Sequence, residues 1–149
     1  MYGYVKVGSA VPKLRVADCV YNKEEILKLV EAAAAKQVRV LSFPELSVTG
    51  YTCADLFFQT PLLHAAEQAI QEIAEATKAL NIFLLIGAPI AVDNQMFNCA
   101  VALYKGKLLG IVPKTHIPNY SEFYEERWFA SADDLLTEEI TYACLLYTS

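Results

Sequence analysis

The chain has 149 residues, 55% of them hydrophobic and only 19% charged, with a formal net charge of −5. This composition excludes an intrinsically disordered protein, and the scattered basic residues of an acidic chain exclude an ordinary nucleic-acid-binding surface. The longest apolar run, Ile82 to Pro89, is too short to cross a bilayer, and the first residues lack the pattern of a signal peptide. We therefore expect a cytoplasmic domain that binds neither nucleic acid nor membranes.

The four cysteines of the chain, Cys19, Cys53, Cys99 and Cys144, form no C-x-x-C pair and lie in no His-rich segment. Metal sites and disulfide frameworks are recognised by such spacings. We therefore predict free thiols in a reducing compartment and no bound metal.

The N-terminal residues predict a strand followed by a helix. The strand covers Tyr2 to Ala10 and ends before Pro12, because proline does not continue a strand ladder. Asn22, with Glu25 three residues later, has the pattern of a capping box. The helix is expected to start there and to run to about Gln37.

The next segments repeat this order. Residues 38–43 are rich in β-branched residues and predict the second strand. Thr60 followed by Pro61 predicts the start of a second helix, which should run to about Leu80. The uninterrupted apolar run Ile82 to Pro89 is typical of a central strand that is covered on both faces.

Two further strands, Met96 to Tyr104 and Lys107 to Val112, are predicted to form a hairpin with its turn at residues 105–106. The aromatic and acidic segment 120–129 predicts a loop that leads into a short helix, and residues 140–143 predict the start of another strand. The resulting order, β-α-β-α-β-β-β, favours a layered α/β fold.

Two charged residues follow directly after strands that proline closes. Glu45 comes after Phe43 and Pro44, and Lys114 comes after Pro113. Chemistry in open α/β sheets is usually placed beyond the carboxyl ends of strands, so we expect Glu45 and Lys114 to meet at one rim of the sheet. Taken singly, each of these residues is more often an ordinary solvated loop charge than a functional group, and only the repeated arrangement raises the functional interpretation to the same level.

Two separated segments carry a family resemblance. Residues 43–51 read FPELSVTGY, and residues 113–129 read PKTHIPNYSEFYEERWF. Together they resemble the carbon–nitrogen hydrolase (nitrilase) superfamily, and residues 3–12 and 120–129 favour the glutaminase domain of the glutamine-dependent NAD(+) synthetases within it.

The resemblance implies a four-layer α-β-β-α sandwich that is incomplete here. The likeness covers residues 1–143, which correspond to about the first half of such a glutaminase domain. Residues 144–149 do not follow the family pattern, and we expect this tail to be an artefact of truncation.

The resemblance also implies the roles of six residues. Glu45 would be the general base and Lys114 the oxyanion donor of a Glu-Lys-Cys triad that hydrolyses an amide. Tyr51, Tyr120 and Phe123 match positions that line the glutamine pocket. Glu122 matches a second glutamate that helps to position the lysine or the substrate, although a solvated charge explains it equally well.

The nucleophile of the family is a cysteine that follows a later strand and is itself followed by glutamate. None of the four cysteines matches that motif, and Cys144 comes too early and lacks the glutamate. We therefore expect this chain alone to be inactive.

For the parent enzyme, the resemblance implies glutamine as substrate, a synthetase domain in the same chain, and assembly into a homo-oligomer. ATP and magnesium would bind that synthetase domain, because these 149 residues contain no Gly-rich phosphate loop. Two alternatives remain open at this point: a free-standing amidase or nitrilase of the same superfamily, and a non-catalytic scaffold that uses this fold.

Overall fold

The structure, a computed structural model, describes residues 3–137, 139–142 and 145–148. Nine regular elements follow one another in the described chain: β1 (Val7–Ser9), α1 (Cys19–Ala35), β2 (Val40–Ser42), α2 (Thr60–Thr77), β3 (Phe83–Val92), β4 (Gln95–Tyr104), β5 (Lys107–Pro113), β6 (Glu139–Tyr142) and β7 (Leu145–Thr148). Three short 3-10 helices are interspersed: Ala54–Phe58, Glu125–Arg127 and Ala132–Asp134. The predicted order of the first seven elements is confirmed.

Strands β1 to β5 form one sheet in the order of the sequence. The first three strands are parallel, and β4 pairs antiparallel with both β3 and β5. Strands β6 and β7 pair with each other in a separate antiparallel ribbon. The mixed five-stranded sheet confirms the α/β fold class.

The core lies between this sheet and the two α-helices. Helix α1 packs against α2, and α2 packs against β3 and β4. Alternate residues of a strand point to the same face, and one such set on β3 and β4 is completely buried. Its members are Leu84, Ile86, Ala88, Ile90, Phe97, Cys99, Val101 and Leu103.

The opposite face of the sheet is only partly covered. Val7 of β1 is 67% exposed and Val112 of β5 is 62% exposed, although both lie within strands. The structure therefore contains one helical layer and one sheet layer, which are two of the four layers of the expected sandwich. None of the helices in the described part of the chain is long and apolar enough to cross a membrane.

The predicted N-cap of α1, Asn22, is wrong by four residues. Asp18 caps the helix, because its side chain accepts a hydrogen bond from the Tyr21 amide at 3.0 Å. Asn22 lies inside the first turn and is fully buried, where its amide bonds to the backbone of Arg15 and Val48. The asparagine thus links the helix to the loop after β2 instead of capping the helix.

Other boundaries also differ from prediction. The N-cap position of helix α2 is Gln59, and the helix ends at Thr77 instead of at about Leu80. The Thr77 hydroxyl donates to the carbonyl of Ile73 at 2.8 Å. Strand β3 continues through Pro89 to Val92. Proline is accepted there because β2 pairs only as far as Leu85, so the edge of β3 beyond that point needs no backbone donor.

Candidate active site

Glu45 lies in a tight loop that crosses the open face of the sheet. After β2, the chain turns at Pro44, and Leu46 has a positive φ of 51°. The loop is attached to β3, because the Val48 amide donates to the Gly87 carbonyl at 3.1 Å. The loop therefore holds Glu45 directly over the middle of the sheet.

Gly87 is the residue that allows this close approach. A Cβ added there would lie 2.6 Å from the Pro44 carbonyl oxygen and 2.8 Å from the Glu45 carbonyl carbon, and closer still to the Leu46 amide. These are backbone atoms, which cannot swing aside as a flexible side chain could. Glycine is needed here because another backbone occupies the space of its side chain.

Lys114 reaches the same place from β5. Its backbone amide continues the ladder by donating to the Asn98 carbonyl at 2.8 Å. Its Nζ donates to Glu45 Oε1 at 2.7 Å and to Glu125 Oε2 at 3.0 Å. Glu45 and Lys114 do meet as predicted, beyond the ends of β2 and β5, but over the longer strand β3 and not at a rim of the sheet.

The charge state of Lys114 follows from these contacts. Partial burial disfavours the ammonium, but the hydrogen bonds and negative charges of Glu45 and Glu125 outweigh it, so the pKa of Lys114 is raised. The side chain is therefore a stable cation at neutral pH.

Glu125, which the sequence alone did not identify, completes a cluster with Glu45, Lys114 and Tyr51. It is only 3% exposed and begins the 3-10 helix Glu125–Arg127. Its Oε1 accepts a hydrogen bond from the Tyr51 hydroxyl at 2.5 Å, while its Oε2 faces Lys114. Burial, followed by the hydrogen bond and charge of Glu125, raises the pKa of the Tyr51 phenol.

Glu125, and not Glu122, is the second carboxylate beside Lys114, and the role predicted for Glu122 stays a prediction. Glu122 is exposed, and among the described residues the two carboxylates that contact Lys114 are those of Glu45 and Glu125. The reason is local: Ser121 has a positive φ, and the Glu125 amide bonds to the Pro118 carbonyl at 3.2 Å, which turns Glu125 inward. No local sequence pattern distinguishes Glu125 from Glu122, because the contact with Lys114 forms only in the folded chain.

Members of this cluster line two cavities. One cleft, of about 260 Å³, is lined by Glu45 and Lys114 together with Phe43, Asn98 and Val112. A second, of about 300 Å³, lies on the other side of Glu125. Its lining residues are Tyr51, Thr52, Ala54, Glu122, Phe123, Tyr124, Glu125 and Trp128.

Three of the four predicted substrate-binding residues, Tyr51, Glu122 and Phe123, line the second cavity. Tyr120 does not line it, but its ring packs edge-on against Phe123 with 5.7 Å between centroids. Glu125, which also lines this cavity, links it to Lys114, and the contact of the predicted residues with a substrate stays a prediction.

A clamp on the surface holds the two loops of the second cavity together. Both carboxylate oxygens of Asp55 accept hydrogen bonds from Arg127, at 2.7 and 2.8 Å, and Oδ1 also accepts one from the Trp128 indole at 2.9 Å. This clamp ties the 3-10 helix Ala54–Phe58, which follows Tyr51, to the 3-10 helix that carries Glu125.

The described cysteines do not have the properties of a nucleophile. Cys19, Cys53 and Cys99 are free and buried. Burial raises the pKa of Cys19 to about 11 and that of Cys99 to about 12, so their reactive thiolate forms are scarce at neutral pH. Cys144 lies outside the described residues. Within the described part of the chain, no group of His, Cys, Asp and Glu side chains is arranged to hold a metal ion.

Comparison with known proteins identifies a matching family and similar relatives. The carbon-nitrogen hydrolase family model matches residues 6–143. A glutamine-dependent NAD(+) synthetase of Mycobacterium leprae is 36% identical over 132 residues, which are 89% of this chain and 19% of that protein. The chain therefore spans about a fifth of the length of this relative.

Solved structures agree on the fold. A glutamine-dependent NAD(+) synthetase from Cytophaga hutchinsonii superimposes with a TM-score of 0.88 at 29% identity, over 96% of this chain and 24% of that one. An amidase from Nesterenkonia sp. superimposes with a TM-score of 0.67 at 19% identity, over 91% of this chain and 51% of that one.

Proposed function

This chain belongs to the carbon–nitrogen hydrolase family, and from that membership we propose that it forms part of the glutaminase site of a glutamine-dependent NAD(+) synthetase. The observation that carries the proposal is the position of the Lys114 ammonium, held between Glu45 and Glu125 at the mouth of a cleft. A fixed cation beside a carboxylate suits the hydrolysis of an amide.

In the proposed reaction, Glu45 and Lys114 have separate tasks. Glu45 takes the proton of a cysteine thiol, whose sulfur attacks the side-chain amide carbon of glutamine. Lys114 donates to the oxygen of the tetrahedral intermediate, which carries the developing negative charge. The proton returns to the nitrogen, ammonia leaves, and Glu45 then activates the water that hydrolyses the thioester.

The nucleophilic cysteine of this proposal comes from outside these 149 residues. Each described cysteine is buried. A thiol that attacks a substrate must be accessible and readily ionised, and neither condition holds for these three. The parent protein, by which we mean the longer synthetase of which this chain is proposed to be a part, would supply it.

We assign the second cavity to the glutamine substrate. Tyr51 and Phe123 present aromatic surface to the cavity, and Glu122 presents a carboxylate. A carboxylate there can receive the α-ammonium group of an amino acid, which would fix the direction in which glutamine enters. Tyr120 supports Phe123 from outside the cavity.

The proposal extends to the parent protein in four respects. The released ammonia would amidate deamido-NAD(+) in a separate synthetase domain, with ATP and magnesium bound there. That domain would be a partner within the same chain, and the parent protein would form a homo-oligomer. The buried free thiols of Cys19, Cys53 and Cys99 fit the reducing cytoplasm.

The proposal is tested by assaying the parent protein for glutamate formation from glutamine, with Glu45→Gln as the inactive comparison. We expect hydrolysis of glutamine by the wild type and loss of it in the variant. Hydrolysis of simple aliphatic amides in place of glutamine would show a free-standing amidase activity instead. An absence of hydrolysis of either substrate class by the wild type would favour the scaffold alternative.

A further inference from the structure

Asn98, on β4, contacts both members of the Glu45–Lys114 pair. Its side-chain Nδ2 donates a hydrogen bond to Glu45 Oε1, and its backbone carbonyl accepts the Lys114 amide at 2.8 Å. The residue is 4% exposed, and its amide is therefore held in place by its surroundings. We propose that Asn98 is a positioning residue that orients the Glu45 carboxylate for proton transfer; this inference rests on the proposed function.

The geometry indicates how the orientation is achieved. Glu45 Oε1 accepts hydrogen bonds from two donors, Asn98 Nδ2 and Lys114 Nζ. Oε2 receives neither of them and is the oxygen left to take a proton from the thiol or from water. Without the amide of Asn98, the carboxylate can rotate and present either oxygen to Lys114.

The location of Asn98 explains why this residue can serve both partners. Asn98 pairs with Pro89 on β3 and precedes Cys99, which pairs with Pro113 on β5. Its side chain lies on the same face of the sheet as Gly87, because both alternate with residues of the buried set. The Glu45 loop crosses that face, so the amide meets the carboxylate from below.

The proposed role therefore requires an uncharged hydrogen-bond donor at position 98. Aspartate has almost the same shape but would place a second negative charge against Glu45, and leucine would remove the donor without adding charge. The two variants separate an orienting hydrogen bond from the mere filling of space.

The test uses the parent protein with Asn98→Leu and Asn98→Asp, and measures kcat and KM for glutamine hydrolysis at pH 7. We expect Asn98→Leu to lower kcat about 10- to 100-fold with KM within about threefold of wild type, which is the range for losing a hydrogen bond to a charged group. Asn98→Asp should lose more activity than Asn98→Leu.

Two controls accompany the variants. Asn81→Asp makes the same chemical change at an exposed position before β3, at the opposite end of the sheet, and should leave the kinetics unchanged. NAD(+) formation from free ammonium bypasses the glutaminase reaction, so an unchanged rate shows that each variant is folded. If Asn98→Leu fails this control, the isosteric Asn98→Asp carries the test.

The outcomes distinguish the two proposals. Variants that keep kcat within threefold of wild type, or equal losses of kcat in both variants, would overturn the role of Asn98 alone. A wild-type parent protein that does not hydrolyse glutamine would remove the proposed function together with this role.

Discussion

At the scale of single residues, Lys114 makes the central contacts of the site. Its ammonium joins two carboxylates that come from loops far apart in the sequence. Because its pKa is raised, the ammonium is present at neutral pH and is lost only as the pH rises through that elevated pKa. Activity that depends on this cation should therefore fall on the alkaline side and not on the acidic side.

Lys114→Ala in the parent protein is expected to lower kcat for glutamine about 100- to 1,000-fold, because losing one oxyanion donor typically costs about 2.7–4 kcal/mol of barrier. Steady-state kinetics measure this loss, and NAD(+) formation from free ammonium reports on the fold. Lys107→Ala, at the exposed start of β5, is the matched control. Turnover within tenfold of wild type would contradict the assignment of Lys114.

Tyr51→Phe tests the indirect link to the lysine. The change removes the hydroxyl that donates to Glu125 at 2.5 Å and keeps the aromatic ring. We expect a loss of about 5- to 10-fold in kcat/KM, since a hydrogen bond of this kind typically contributes about 1 kcal/mol or slightly more. Tyr104→Phe removes a hydroxyl that bonds to Asn81 at the other end of the sheet, and should have no effect on glutamine hydrolysis.

At the scale of elements, the site depends on two close contacts between segments. The Glu45 loop rests on β3 at Gly87, and the clamp formed by Asp55, Arg127 and Trp128 holds the 3-10 helix of Glu125 against the loop after Tyr51. Neither contact involves the reacting groups directly. Both contacts determine the positions of those groups.

Gly87→Ala should displace Glu45. The new Cβ would overlap the backbone of residues 44–46, and forcing extra atoms into a packed site typically costs about 1–3 kcal/mol of stability. We expect a lowered melting temperature and a loss of glutamine hydrolysis in the parent protein. Gly8→Ala on β1 is the control, because its Cβ would meet only side chains of Leu41 and Val38 at 3.5 Å or more. Equal behaviour of the two variants would show that the loop does not depend on Gly87.

Asp55→Ala should loosen the clamp. The hydrogen bonds from Arg127 and Trp128 hold the pKa of the Asp55 carboxyl well below its usual range, so the clamp is intact at neutral pH and is lost only under strongly acidic conditions. We expect KM for glutamine to rise about two- to fivefold at pH 7 with little change in kcat, because an exposed ion pair contributes modestly. Glu75→Ala, which removes the exposed pair with Lys78 on α2, should leave KM unchanged. A large fall in kcat in place of the rise in KM would contradict this role.

At the scale of the whole molecule, the open face of the sheet dominates behaviour in solution. Val7 and Val112 expose apolar side chains within strands, and β1 and β5 form the two edges of the sheet. Exposed strand edges and apolar patches promote association between molecules.

We therefore expect the isolated chain to aggregate or to be poorly soluble. Replacing Val7 and Val112 by threonine should improve its solubility, because threonine keeps the β-branched shape and makes the surface polar. Light scattering and sedimentation measure the effect. A sharp and reversible thermal transition of a monomer of the unsubstituted chain would contradict the prediction.

The sequence by itself determined the order of the elements and the convergence of Glu45 and Lys114. Proline, apolar periodicity and strand composition act locally, so the ends of β2 and β5 and the charged residues that follow them can be read from neighbouring residues. The helix boundaries were less accurate, because Asn22 fits a cap pattern but serves a contact with Val48, which only the folded chain provides.

The tertiary structure alone decided which residues complete the site. Tyr51 and Glu125 are 74 positions apart, and Asn98 and Glu45 are 53 positions apart. No local pattern specifies such pairs: a backbone turn at Ser121 brings Glu125 inward in place of Glu122, and strand pairing brings Asn98 beneath the Glu45 loop. Local sequence signals determine which charged residue follows the end of a strand. Packing between segments that are distant in the sequence determines which side chains that residue contacts.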